Sequence, residues 1–356
     1  MAQLISDIEQ VTPTWLTNLL RSRGCLEEGH ISRVEYARSE SYRALLYALT
    51  LTYSPNASPS APARIFLKFT KPSMLPENER EVRFYNTIAP TMSQAPVVGC
   101  YDAVYDSDTG AYHVLLEDLG ATHYVTPFPL PPSKQHTELM IDALVKIHAF
   151  WWDHPRLDQE FQPSPIPELV QRYTEKMTEE YSDLVDFLGD RLSGERKSYF
   201  NSTFTSYPSL MVERLNRGKH LTFVHADAHA WNFLVPKDPR GRAAYLIDWH
   251  TFDWYLQCST GVSDLAYMMV HNWFPDHRRR NEQFVLRRYH EKLAEYGVRG
   301  YSWDDLWYDY RLAALSSLYV VALWGGFAPT AQTMYIQLEN AMSAFRELDC
   351  VELLER

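Results

Sequence analysis

The feature that most constrains this chain is a β island inside an otherwise helical stretch. Leu221-Thr222-Phe223-Val224 and Phe233-Leu234-Val235 are short apolar runs, and between them lies His225-Ala226-Asp227-Ala228-His229-Ala230-Trp231-Asn232. After a Pro236 to Gly241 turn, a third run from Ala243 to Ile247 ends in Asp248-Trp249. Apolar runs of this length bounded by turn residues read as buried strands. The spacing therefore predicts one hairpin with Asp227, Asn232 and Asp248 converging at its mouth. Around the island the period is 3.6, as in Leu139, Met140, Leu144, Ile147 and Trp151.

Residues 1–118 read differently. Thr12-Pro13 is a helix start, with Thr12 as cap and Pro13 at the first helical position. Strands follow over Ile31 to Ala37, Ala44 to Tyr53 and Arg64 to Phe69, then a helix at about residues 77–87. A hairpin comes next, from Val97 to Tyr105 and Ala111 to Glu117, around Asp106-Ser107-Asp108-Thr109-Gly110. Pro127, Pro129, Pro131 and Pro132 then mark a change of composition. The expected fold class is α+β, with two lobes: a small antiparallel sheet in residues 1–118 and a mainly helical lobe in residues 119–356. An aromatic content of 14% is too much apolar surface to leave in water.

The formal charge of −11 disfavours nucleic acid as a partner, because phosphate backbones need a basic surface. Cys25, Cys100, Cys258 and Cys350 have neither metal-ligand spacing nor the density of a disulfide framework. Asp7 and Glu9 stand where a signal peptide needs apolar residues. A cytoplasmic location is expected. Leu312 to Leu338 carries no charge, but Gly325, Gly326 and Pro329 interrupt it, and the solidly apolar part, Leu318 to Trp324, is too short to span a bilayer. A buried helix is expected there, and no membrane association.

Two carboxylates and an amide at one hairpin suit phosphoryl transfer, in which one carboxylate accepts a hydroxyl proton while the other two groups hold Mg²⁺. His-Ala-Asp-x-x-x-x-Asn followed by Ile-Asp-Trp resembles the signature of the aminoglycoside phosphotransferase and choline kinase-like small-molecule kinases, which share the protein-kinase-like fold. The resemblance implies that Asp227 is the catalytic base, that Asn232 and Asp248 are metal ligands, and that His225 braces the loop. It implies ATP and Mg²⁺ as cofactors and a hydroxyl-bearing small molecule as acceptor. Lys68 resembles the third-strand lysine that contacts the α- and β-phosphates, and Glu81 its ion-pair partner. His113 to Leu119 resembles the hinge, where backbone groups of Glu117 and Leu119 would hold adenine. Asp264 and the helix around His148 match structural positions of the family. Two departures stand out: Ala226 replaces a glycine, and the loop Ser39-Glu40-Ser41-Tyr42 has none, so that the hydroxyls of Ser39 and Ser41 would substitute for close backbone approach to phosphates.

Blander roles compete for several of these residues. Lys68 has the pattern of an edge-strand lysine as readily as of a ligand, and Glu81, among Glu77, Glu79, Arg80 and Arg83, reads locally as a solvated face. His148 reads as a satisfied core or helix-face histidine, and Trp254, Trp273, Trp303, Trp307 and Trp324 as core. Two other functions stay open. His225, Asp227 and His229 supply ligands for a metal-dependent hydrolase, and the glycine-free loop suits a catalytically silent kinase-like binder. The acceptor pocket is expected from Phe161 to Asn216 and the region after Trp254, with no motif that names its ligand.

Overall fold

In a computed structural model the chain forms two compact units, residues 1–124 with 247–250 and residues 125–246 with 251–356. The structure describes residues 3–41, 43–75, 79–93, 95–161, 164–249, 256–323 and 332–355. Tyr42, Glu77, Trp254, Trp324, Gly325, Gly326 and Pro329 lie outside them. The fold class is α+β, as expected.

The first unit opens with α1 (Pro13–Ser22), whose Thr12 cap accepts a hydrogen bond from the Trp15 amide at 3.1 Å. β1 (Ile31–Glu40), β2 (Ala44–Tyr53), β3 (Arg64–Thr70), β4 (Cys100–Asp106) and β5 (Ala111–Glu117) form one antiparallel sheet in the order β1-β2-β3-β5-β4. Leu16 and Leu20 of α1 close over Leu49, Ile65, Leu67 and Leu115 to make its core. β1 runs past its expected end at Ala37, because Ala37, Arg38, Ser39 and Glu40 continue in register with Ala48, Tyr47, Leu46 and Leu45. Ser39 is therefore a strand residue, and the expected loop shrinks to a turn in which the Ala44 amide donates to Ser41 Oγ at 3.0 Å. The helix expected at 77–87 is one turn, α2 (Arg80–Arg83), followed by a π turn at Phe84–Ile88 and a 3₁₀ turn at Ala89–Thr91. Pro90 lacks the amide that a continuing helix would need. A short strand, β6 (His123–Val125), follows and is not part of this five-stranded sheet.

The second unit begins with α3 (Lys134–Trp151), capped by Ser133, and continues through α4 (Leu157–Phe161), α5 (Ile166–Thr178), α6 (Tyr181–Leu188) and α7 (Gly194–Asn216). The β island departs from the single expected hairpin. β7 (Thr222–Phe223) pairs with β10 (Cys258–Ser259), a two-residue strand with no visible pattern in the sequence. β8 (Phe233–Pro236) pairs with β9 (Tyr245–Leu246), so that Phe233 lies opposite Leu246. Helices α8 (Val262–Ala266), α9 (Pro275–Glu295), α10 (Trp303–Leu323), α11 (Gln332–Glu347) and α12 (Val351–Leu354) complete the unit. The described part of α10 is largely buried, and among the described residues no helix is long and apolar enough to cross a membrane.

A π turn at Tyr267–His271 follows α8 and buries His271, whose two ring nitrogens have no hydrogen-bond partner among the described residues. Burial pushes its pKa down to about 3. Above pH ~6.5 the group is neutral in both folded and unfolded chains and contributes nothing. Below that, the unfolded chain binds a proton that the folded chain refuses, so stability falls by about 1.4 kcal/mol per pH unit until the folded value is reached. His271→Leu should therefore remove about 2 kcal/mol of acid destabilisation between pH ~6.5 and ~5. Urea titrations at the two pH values measure this; parallel losses in wild type and variant would refute it.

Candidate active site

Lys68 lies on β3 between Leu46 of β2 and Val114 of β5, a central position and not an edge. It is buried, and so is Glu81 on α2. Lys68 Nζ donates to Asp248 Oδ1 at 2.5 Å and is ion-paired with Glu81 Oε2 at 2.7 Å. Burial works against its charge, but Asp248 and then Glu81 outweigh it and hold the ammonium pKa well above its ordinary value. Burial and the Glu81 charge likewise push the neighbouring Tyr85 hydroxyl well up, so it stays protonated. Asp248 adopts a left-handed backbone (φ 62°), costly for a residue with a Cβ and met at functional sites. Trp249 fixes this segment by stacking on Phe84, with ring centroids 3.7 Å apart. Geometry thus joins three predicted residues, and the solvated-face reading of Glu81 does not hold.

Other predicted residues of this unit lie elsewhere. The Glu117 amide donates to the Gly99 carbonyl at 2.8 Å, and the Leu119 carbonyl accepts from Thr122 and His123, each at 2.9 Å. Ser41 is committed to its turn with Ala44, and Ser39 is paired in the sheet. Glu40, which would repel phosphate, is drawn to Lys71 at 3.2 Å and Arg38 at 4.0 Å.

In the second unit, one carboxylate shapes the loop between β7 and β8. Asp264 accepts from the amides of His225 (2.8 Å) and Ala226 (2.9 Å), and from His148 Nε2 at 3.2 Å. Ala226 is left-handed (φ 68°), which explains why glycine suits this position and why the two amides must be held. Behind Asp264, Tyr289 Oη lies 2.8 Å from His148 Nδ1. Gly261 leaves room for that bond, since a Cβ there would sit 2.2 Å from Tyr289 Oη and 2.8 Å from His148 Nδ1. Tyr289 was illegible in the sequence: it lies 141 residues from His148 on a helix with a charged pattern.

Asn232 is buried and donates from Nδ2 to the Asp227 carbonyl oxygen at 2.9 Å and to Asp227 Oδ2 at 3.2 Å. Asp227 Oδ1 faces His229 Nε2 at 3.7 Å. The Asp227 amide donates to His225 Nδ1 at 3.3 Å, which makes His225 a brace for the loop. Among the described residues, no group of three His, Cys, Asp or Glu side chains is placed to hold a metal.

Comparison with known proteins follows the same lines. Residues 67–298 match the model of the ecdysteroid kinase-like family. A candidate aminoglycoside phosphotransferase from Ralstonia eutropha superposes with a TM-score of 0.58 at 15% identity, covering 95% of this chain and 98% of that one. Choline kinase from Cryptosporidium parvum gives 0.51 at 13%, covering 91% and 90%. The GDP complex of aminoglycoside 2'-phosphotransferase-IIIa gives 0.51 at 13%, covering 94% and 99%. At these identities the likeness is one of fold. No curated protein sequence matches this one.

Proposed function

Because the chain belongs to the ecdysteroid kinase-like family, we propose that it is an ATP- and Mg²⁺-dependent phosphotransferase acting on a hydroxyl of a small molecule. The observation that carries this reading is the buried lysine. Burying an ammonium in the middle of a sheet carries a desolvation cost that pairing with Glu81 and Asp248 repays only in part or just balances, so the pair is weak grounds for stability. A function that needs a fixed positive charge, such as neutralising nucleotide phosphates, accounts for keeping it. The bound GDP of the aminoglycoside 2'-phosphotransferase neighbour also favours nucleotide use.

Each residue then has a role. Lys68 neutralises the α- and β-phosphates, and Glu81 fixes its ammonium. Adenine would be received by backbone groups of Glu117 and Leu119 other than the Glu117 amide and the Leu119 carbonyl, which bond within the protein, and Ser39 and Ser41 flank the phosphates, with Ser41 acting through the shape of its turn. Asp227 accepts the proton of the acceptor hydroxyl as the oxygen attacks in line. Each unit offers a donor whose chemistry fits Mg²⁺: Asp248 a carboxylate in the first, and Asn232, whose Nδ2 is engaged by Asp227, an amide oxygen in the second. Mg²⁺ held by such donors would neutralise charge developing on the phosphates.

Calorimetric titration with MgATP tests the nucleotide site. Asp248→Asn should weaken Mg²⁺-dependent binding by about tenfold, the loss of roughly 1.4 kcal/mol. Equal affinity in wild type and variant would remove Asp248 from the metal site. ADP release with an acceptor then separates an enzyme from a silent binder.

A further inference from the structure

The roles assigned to the loop between β7 and β8 leave one of its histidines unused. His229 Nε2 stands 3.7 Å from Asp227 Oδ1. That is beyond the roughly 3 Å of a direct N–H···O bond, so the two groups face one another across a gap. The imidazole is held from its sides, with ring centroids 5.0 Å from Trp231 and 6.4 Å from Tyr267. The side chains keep 21% (His229) and 29% (Asp227) of their surface exposed, so a small oxygen has access to the gap. Of the two Asp227 oxygens, Oδ2 accepts from Asn232 Nδ2 at 3.2 Å, and Oδ1 is the one that faces His229.

His229 Nδ1 is buried and has no hydrogen-bond partner among the described residues. A proton on Nδ1 would be a stranded donor, and the lone pair then left on Nε2 would point at a carboxylate and be repelled. Placing the proton on Nε2 removes the repulsion and leaves only an acceptor unfilled. The ring therefore presents an N–H to the space beside Asp227 Oδ1.

We propose that His229 donates this N–H to the oxygen of the acceptor hydroxyl, while that hydroxyl donates its proton to Asp227 Oδ1. The contact rests on the phosphotransferase reading; the place of the imidazole proton does not. An oxygen about 2.7 Å from Oδ1 and about 2.9 Å from Nε2 fits a pair 3.7 Å apart. One lone pair of the hydroxyl then accepts from His229, and the other is left to attack. In the step itself the bond from this oxygen to the γ-phosphorus forms as the bond to the leaving ADP oxygen breaks. The hydroxyl proton passes to Asp227, and His229 keeps its own. Neutral imidazole with its proton on Nε2 and imidazolium both supply the donor.

Two measurements test this. In a long-range proton–nitrogen NMR spectrum, the His229 signals, identified by their loss in His229→Gln, should show Nε2 protonated. A neutral ring with its proton on Nδ1 overturns the proposal, whatever the turnover. Water is an acceptor that needs no identification, so the second measurement is MgATP hydrolysis followed by ADP release, beside calorimetric MgATP affinity. His229→Leu should lower kcat by about tenfold, the worth of one hydrogen bond, and leave MgATP affinity unchanged. His229→Gln, whose amide nitrogen takes the place of Nε2, should restore most of the rate, and the shorter His229→Asn should not. A kcat that is equal in wild type and His229→Leu, or as low in His229→Gln as in His229→Leu, removes the contact and leaves the phosphotransferase reading standing. If wild type binds no MgATP and releases no ADP, that reading falls and the contact with it, even where Nε2 carries the proton.

Discussion

Asp227→Asn is expected to lower kcat for phosphoryl transfer by about 100- to 10,000-fold, the usual contribution of a positioned general base. Nucleotide affinity should stay where it was. An asparagine keeps the shape of the side chain and an oxygen at the position that now meets Asn232 Nδ2 at 3.2 Å, so the loop held by Asp264 has no reason to rearrange. What the variant loses is a group able to take a proton. The measurement is kcat with a turned-over acceptor, beside calorimetric MgATP affinity for the same preparation. An unchanged kcat would remove Asp227 from the role of base, and a parallel collapse of nucleotide affinity would make it a structural residue.

The largest stability effect is expected at a pair outside the reaction. Arg214 on α7 and Asp309 on α10 are both buried and joined by two bonds, and Arg214 Nη1 also donates to the Lys219 carbonyl at 3.0 Å. The pair ties two helices to the turn that leads into β7. Burial works against the guanidinium charge, yet the bond and charge of Asp309 keep its pKa raised. Removing one partner leaves an uncompensated buried charge, at a cost of about 3–5 kcal/mol. Asp309→Leu should accordingly lower Tm by roughly 6–20 °C. The double variant Arg214→Met with Asp309→Leu should recover most of the loss, because the penalty belongs to the unpaired ion and not to the absent bridge. Calorimetric melting of wild type, both single variants and the double variant checks this, and a double variant no better than Asp309→Leu would contradict it.

Legibility in the sequence followed the range of each interaction. α1, β2 and the β4–β5 hairpin were readable because caps, alternation and turn chemistry are set by near neighbours. β10 was not: two residues carry no period, and Cys258–Ser259 is a strand only because Phe223 and Thr222 lie opposite. The end of β1 was misplaced for the same reason, since Arg38, Ser39 and Glu40 are polar and exposed, and stay extended through pairing with β2. The π turns after α2 and α8 likewise gave no local sign.

The candidate site divides in the same way. Sequence alone determined which residue types sit on either side of the β island, because a carboxylate four residues before a tryptophan and five before an asparagine, followed by Ile-Asp-Trp, is a local pattern with chemical meaning. Tertiary structure alone decided what Lys68 and Glu81 are. Their local patterns suited an edge lysine and a wet helix face, and only the placing of β5 beside β3 turns the strand into a central one and buries both charges. It also decided that Asp264, His148 and Tyr289 form one chain of hydrogen bonds under the loop. Near neighbours set backbone conformation, whereas burial and charge compensation depend on residues that the chain brings together from more than a hundred positions away.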